Sequence, residues 1–281
     1  MTRRRAVIIA ATLGVLAISA AAAHSQLVHV QPAPDSSVRS APPARGATRI
    51  WRPAPQTTWQ WQLTTPVDQS VTAKMFDIDL FDNSASVIAS LHRRGDRVIC
   101  YLDAGTYENF RPDAHAFPQS VLGETNGWPG ERWLDIRRLS ALEPIMRARF
   151  QMCKNKGFDG VEADNVDGYT NRTGFPLNGS DQLTYNKWLA RTAHSLGLSI
   201  ALKNDLDQAR QLQPDFDYAL DEQCFQYTEC ALLRPFVAAH KAVFEVEYNL
   251  SPGRFCRQSR SDGFMSMRKG LNLGAQRSVC W

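Results

Sequence analysis

Between residues 59 and 267, short runs of clustered or alternating apolar residues recur, separated by stretches in which apolar positions return every three or four residues. The first pattern has the period of a strand, the second that of a helix packed on one face. Strands are predicted at 59–63, 75–80, 97–102, 160–164, 199–203, 218–222, 242–247 and 264–267, and helices at 84–94, 142–156, 181–196, 205–212 and 232–240. Such alternation implies parallel strands joined by helical crossovers. The fold class expected is therefore α/β, a single (β/α)8 TIM-barrel domain over 57–281, because an open doubly wound sheet more often stops short of eight strands. The Gly-rich turn of a dinucleotide site follows none of the early strands.

The amino end has a different pattern. Arg3, Arg4 and Arg5 precede an apolar run over 6–20 and the small residues Ala21, Ala22 and Ala23, the three regions of a secretory signal peptide, so 1–23 is expected to be removed on export. The apolar run is shorter than the roughly 20 residues a spanning helix needs, and no stable membrane anchor is expected. The paired arginines fit a twin-arginine signal only loosely. Residues 24–56 are rich in Pro, Ala, Ser and Arg and lack periodic apolar positions, the composition of a disordered or extended tether.

The formal charge of +4 falls to about +1 once the three leader arginines are gone, which leaves no basic surface to argue for nucleic acid. Six cysteines in an exported chain favour three disulfides, although spacing alone leaves their connectivity open. The expected pairs are Cys100 with Cys153, Cys224 with Cys230 and Cys256 with Cys280.

Reactive side chains gather where the predicted strands end, which is where barrel enzymes place their chemistry. The second strand offers Asp77 and Asp79 on one face, and the third ends in Tyr101, Leu102 and Asp103. The fourth gives Glu162, Asp164 and Asn165, within the acid-rich segment GFDGVEADNVDG. The fifth closes with Lys203, Asn204 and Asp205, the sixth with Asp221 and Glu222, the seventh with Glu245 and Glu247, and the eighth with Lys269. Aromatic residues accompany them: Trp59, Trp61, Tyr101, Tyr169, Tyr185, Phe225, Tyr227 and Tyr248. Flat faces of sugars stack on such rings.

Several chemistries lack their residues. No Gly-x-Ser-x-Gly elbow is present. His92, His115, His194 and His240 fall in helices or loops rather than at strand ends, and no Cys-x-x-Cys pair occurs, so neither a metal nor another cofactor is expected. Carboxylate chemistry remains. Cleavage of a glycosidic bond asks for two acids, one protonated to release the leaving oxygen and one ionised to attack or to activate water.

The segments WQWQL, MFDIDLFD, VICYLDAG, GFDGVEADNVDGY, LKND and DEQCFQYTEC resemble those of the glycoside hydrolase family 114 barrel domain, the endo-α-1,4-polygalactosaminidases, from about Trp59 to the C-terminus. The resemblance implies a secreted or periplasmic enzyme that cuts galactosamine-rich exopolysaccharide with retention of configuration. By motif it puts the catalytic acids on Asp164, as nucleophile, and Glu222, as acid/base; Glu162 and Glu247 are the carboxylates most easily mistaken for them. Trp59, Asp77, Asp79, Tyr101, Asp103, Glu162, Asn165, Tyr185, Lys203, Asn204 and Glu247 complete the expected substrate site.

De-N-acetylated galactosamine is a cation near neutral pH, and a rim carrying Asp77, Asp79, Asp103, Glu162, Glu245 and Glu247 would attract it. Lys203 is expected to hold Asp164 ionised. The partner expected is thus a cationic amino-sugar polymer, met by a monomer. Two other readings stay open at this point: a barrel that holds a polysaccharide without cutting it, and a hydrolase of another α-linked glycan. Endo or exo action is not fixed by the residues.

Overall fold

The computed structural model describes residues 49–281. The leader expected at 1–23 and the tether up to residue 48 lie outside the described residues. From its amino end the chain forms β1 (Trp59–Gln62), β2 (Met75–Asp79), α1 (Ala85–Arg93), β3 (Arg97–Asp103), and a hairpin of β4 (Thr106–Glu108) and β5 (Glu131–Trp133). There follow α2 (Leu139–Lys156), β6 (Gly160–Asp164), α3 (Gly179–Ser195), β7 (Ser199–Lys203), α4 (Ala209–Leu212) and β8 (Tyr218–Glu222). The chain closes with α5 (Cys224–Tyr227), α6 (Arg234–Ala238), β9 (Val243–Glu247), α7 (Pro252–Asp262), β10 (Met265–Arg268) and β11 (Ser278–Val279).

One curled sheet runs β1-β2-β3-β6-β7-β8-β9-β10, every neighbouring pair parallel, with β11 antiparallel on β10. These eight parallel strands are the eight read from the sequence, each within about two residues at either end, and the fold is a (β/α)8 barrel. Across the seam from β10 to β1, the Trp59 indole donates to the Met265 carbonyl at 2.8 Å, Leu63 N–H to Leu273 at 3.0 Å, and the Gln60 amide to Ala275 at 2.7 Å.

Alternation decides what each strand shows to either side. Along β6, Val161 and Ala163 join the outer core beneath the helices, while Glu162 and Asp164 carry the opposite parity and point into the barrel. Trp59, Met75, Ile99, Tyr218, Leu220, Phe244, Val246 and Met267 pack the lower interior, so the barrel is filled rather than hollow. At Gly160, β6 leaves no room for a side chain against β7: a Cβ there would meet Ser199 Oγ at 2.3 Å.

The three disulfides form with the expected pairing, Cys100–Cys153 tying α2 to β3, Cys224–Cys230 closing the turn after β8, and Cys256–Cys280 fastening the C-terminal segment to α7. Two features differ from expectation. The ordered barrel begins before residue 57, because Trp51 packs against the interior aromatic cluster and Arg52 pairs with Asp217 at 2.5 Å. The helix α7 carries only Phe255, Cys256 and Ser259 as its buried stripe, too narrow a signal to stand out from its charged neighbours. Among the described residues no helix is long and apolar enough to cross a membrane.

Candidate active site

Three consecutive strands end on the side chains that meet at the barrel mouth: Asp164 closes β6, Lys203 closes β7 and Glu222 closes β8. The residue after each, Asn165, Asn204 and Gln223, has a left-handed backbone with φ of 60°, 50° and 65°. That conformation is costly for most side chains and least so for Asn. It turns the chain sharply away from the barrel, so the last strand residue is presented to the groove. Gly105 packs against the first of these turns, and a Cβ there would overlap the Asn165 carbonyl at 1.6 Å.

Lys203 is the centre of the charge arrangement. Its ammonium lies 2.7 Å from Asp164 Oδ1, 2.9 Å from Glu222 Oε2 and 3.5 Å from Glu162 Oε1, and stands over the Trp61 ring at 5.1 Å. Burial pulls the lysine pKa down, but the three carboxylates outweigh it and hold the ammonium well above its ordinary value. Asp164 receives further donors, from Tyr101 Oη to Oδ2 at 2.9 Å and from the Asn165 N–H to Oδ1 at 2.8 Å. Burial alone would raise its pKa; Lys203 and these hydrogen bonds reverse that and hold it below the usual carboxylate value. Glu222 is gripped from its own side. Asn204 Nδ2 donates to Oε2 at 3.2 Å, Asn204 Oδ1 accepts the Glu222 N–H at 3.0 Å, and the Tyr248 hydroxyl donates to Oε1.

Above these side chains the mouth is a groove with two lobes. One, of about 390 Å³, is lined by Trp61, Tyr101, Asp164, Asn165 and Lys203; the other, of about 500 Å³, by Asp167, Tyr169, Asp205, Asp207, Tyr227 and Glu229. Trp128, Asn204, Glu222, Tyr248 and Leu271 line both, so Glu222 stands at the junction. Burial, reinforced by Asp164, lifts Asp167 to about 6, and burial, reinforced by Asp167, lifts Asp205 to about 8.

Of the expected site residues, Asp164, Glu222, Tyr101, Asn165, Lys203 and Asn204 come together on this groove. The others do not reach it. Trp59 is wholly buried in the lower barrel, stacked near Trp61 at 6.4 Å and bonded to the Met265 carbonyl. Tyr185 faces the other way, with its hydroxyl on the Ala104 carbonyl at 2.8 Å and its ring on Trp188. Asp79 accepts both Arg111 Nη atoms and the Phe81 and Asp82 N–H groups, which anchors a loop. Asp103 is spent on Thr106 and Asn165, at 2.5 and 2.6 Å. Glu247 lies on the outer face of the sheet and accepts the Phe225 and Gln226 N–H groups at the start of α5. Asp77 and Glu162 are wholly buried beneath Lys203, and Glu245 is buried beside Glu247. The acids expected to draw a cationic sugar are therefore mostly below or behind the rim; the groove's own carboxyl groups are Glu131, Asp164, Asp167, Asp205, Asp207, Asp221, Glu222 and Glu229.

Residues the sequence reading did not single out also line the groove. Trp128 sits 57% exposed in the loop between β4 and β5, and Leu271 is 63% exposed in the loop after β10. Neither lies in a periodic segment, and no local pattern marks them. Tyr248, named with the aromatics accompanying the strand ends, does line both lobes, and it shares the inward parity of Phe244 and Val246. Asp103, Glu108 and Glu131 bring carboxylate oxygens within 4.8 Å of one another, but Arg111, 2.8 Å from Glu108, and Arg149 already supply positive charge there.

A parallel barrel that opposes two strand-end carboxylates across a sugar-sized, aromatic-edged groove has the equipment of one class of protein, a carboxylate-based glycoside hydrolase. The sequence matches the model of glycoside-hydrolase family GH114 over residues 40–281, and the chain belongs to that family. Its structure is similar to Aspergillus fumigatus Ega3, crystallised in complex with galactosamine, at 39% identity and a TM-score of 0.79, covering 84% of this chain and 100% of that one. The glycoside hydrolase domain of PelA from Pseudomonas aeruginosa shares the fold at 13% identity and a TM-score of 0.61, covering 79% of this chain and 96% of that one. So does the α-galactosidase TtGalA from Thermus thermophilus, at 12% identity and 0.54, covering 80% and 64% respectively. No curated protein matches the sequence.

Proposed function

We propose that the protein is an exported endo-acting hydrolase of α-1,4-linked, galactosamine-rich polysaccharide, with Asp164 as nucleophile and Glu222 as acid/base. The observation that carries the pairing is the shared contact with Lys203. Both acids end on one nitrogen, so Asp164 Oδ1 and Glu222 Oε2 lie at most about 5.6 Å apart. As an upper bound on the two oxygens that face Lys203, it accommodates the roughly 5–5.5 Å of retaining glycosidases and favours it over the roughly 6.5–9.5 Å of inverting ones. Lys203 and Tyr101 favour an ionised Asp164, as a nucleophile requires. Glu222 would protonate the leaving oxygen and then activate water against the glycosyl-enzyme.

The substrate class rests on the relative crystallised with galactosamine and on the charge of the groove. Eight carboxyl groups line its two lobes beside the single cation of Lys203; burial pushes Asp205 and Asp221 toward their protonated forms, so the attraction rests on the others. A chain of protonated amines is attracted there, and a uronic-acid polymer is repelled. The two-lobed groove, with Glu222 at the junction, favours cleavage within a chain over release from its end. The three disulfides favour an oxidising compartment, consistent with an exported chain. Incubation with partly deacetylated α-1,4-linked galactosamine polymer tests the reading: the wild type should release oligosaccharides resolvable by mass, and Asp164→Asn should not. Release of products from fully acetylated polymer alone would overturn the substrate, and equal release by Asp164→Asn would overturn the nucleophile.

A further inference from the structure

Beneath the groove, four carboxylate oxygens lack any hydrogen-bond donor. Asp77 and Glu162 are both wholly buried, at the inward positions of β2 and β6, and neither oxygen of either side chain has a conventional partner. The two carboxyls face each other within hydrogen-bonding reach. Two bare anions in that position would repel strongly in a medium that screens little, so the contact makes sense only if one of the two carries a proton. Glu162 is also 3.5 Å from the Lys203 ammonium, the same ammonium that contacts Asp164 and Glu222.

We propose that Asp77 and Glu162 are positioning residues that share one proton: Glu162 remains protonated, donates to Asp77, and as a neutral neighbour leaves the charge of Lys203 to Asp164 and Glu222. The inference rests on the catalytic reading of those two acids and deepens it. An ionised Glu162 would compete for Lys203 from below and draw the ammonium away from the groove. Desolvation and then the neighbouring Asp77 charge push Glu162 far toward its protonated form, which agrees with this assignment. The other titratable groups around the pair are Lys203 on β7, Asp164 at the end of β6, Tyr101 on β3 and Tyr218 on β8. Only Lys203 among them favours the ionised form of Glu162, and its charge is already divided between two closer carboxylates.

Two measurements test this, one of them independent of any substrate. Other buried acids also stay protonated, so the infrared test is the difference between wild type and Glu162→Gln well above pH 7: it should show a protonated carboxylic acid band belonging to Glu162, and absence of that difference band would overturn the proposal even if the enzyme cuts its polymer. Asp77→Asn removes the anion that keeps Glu162 protonated. Its pH–rate profile should lose activity on the alkaline side about one pH unit earlier than the wild type. In the double variant Asp77→Asn/Glu162→Gln no carboxyl is left to ionise, and the alkaline limb should return to its wild-type position. A purely structural role predicts instead that the double variant is at least as impaired as the single one with an unmoved limb, and that outcome would overturn the proposal. If the wild type cleaves no galactosamine polymer, the functional reading fails while the infrared result still decides the protonation of the pair.

Discussion

Asn204 holds Glu222 at two points, accepting its backbone N–H at 3.0 Å and donating to its carboxylate at 3.2 Å. The left-handed turn at Asn204 thus does two jobs, ending β7 beneath Lys203 and fixing the proposed acid/base on the next strand. Asn204→Ala removes both contacts and keeps Lys203 in place. Turnover should fall by roughly ten- to a hundredfold, with a smaller change in KM, since orientation rather than binding is lost. Steady-state kinetics on soluble oligomers checks this, and an unchanged kcat would release Asn204 from that role.

Among the described residues, Lys203 is the only cation touching Asp164, Glu162 and Glu222. In Lys203→Met, Asp164 and Glu222 would lose their shared cation, and the protein should melt at a lower temperature. The sign of the pH effect follows from Asp164. Lys203 holds its pKa below the ordinary value, so removing the cation raises it, and the acid limb of the remaining activity should move to higher pH. A limb that stays put, measured by initial rates across the acid range, would contradict the pairing.

The eight strands were legible because their alternation is strict: Val161 and Ala163 outward, Glu162 and Asp164 inward, with Gly157 ending the preceding helix in a left-handed cap. Depth was not legible. Trp59 and Trp61 have the same parity on the same strand, yet one is locked in the lower core and the other borders the groove. Partners distant in sequence also decided roles. Asp79 reads as a rim acid until Arg111, 32 residues away, is seen to close over it, and Glu247 until the N–H groups of Phe225 and Gln226 come down onto it. Trp128 lies in an aperiodic loop whose placement depends on the β4–β5 hairpin, itself too short to predict.

Trp128 lines both lobes of the groove with its ring more than half exposed. Its backbone N–H is held by Asn126 Oδ1 at 3.0 Å, and Asn126 Nδ2 is bonded to Glu131 at 2.6 Å, so the loop is fixed near the groove. Trp128→Ala should raise KM for polymer by up to about tenfold, the value of one lost ring contact. The rate on a small activated galactosaminide should change far less. Equal loss on both substrates would mean that the ring supports the loop rather than the sugar.

Several groove and barrel acids are held protonated in the folded state by burial, Asp167 to about 6 and Asp205 to about 8. A folded state that binds protons more tightly than the unfolded chain loses stability as pH rises from the ordinary carboxylate range through those values. Asp164 and Asp217 are lowered instead, and their contribution is lost only as the solution turns acid. The melting temperature should therefore peak on the mildly acid side and decline toward about pH 8. Asp205→Asn should flatten that decline, and a melting temperature that rises steadily from about pH 5 to 8 would contradict the assignment.

The closeness of Asp164 and Glu222 across one ammonium is tested most directly by the anomer released first. Proton NMR of the reducing end, recorded within seconds of mixing the wild type with α-1,4-linked galactosamine oligomers, should show the α-anomer before mutarotation sets in. First appearance of the β-anomer would mean a single displacement by water and would contradict the pairing of Asp164 and Glu222 as nucleophile and acid/base.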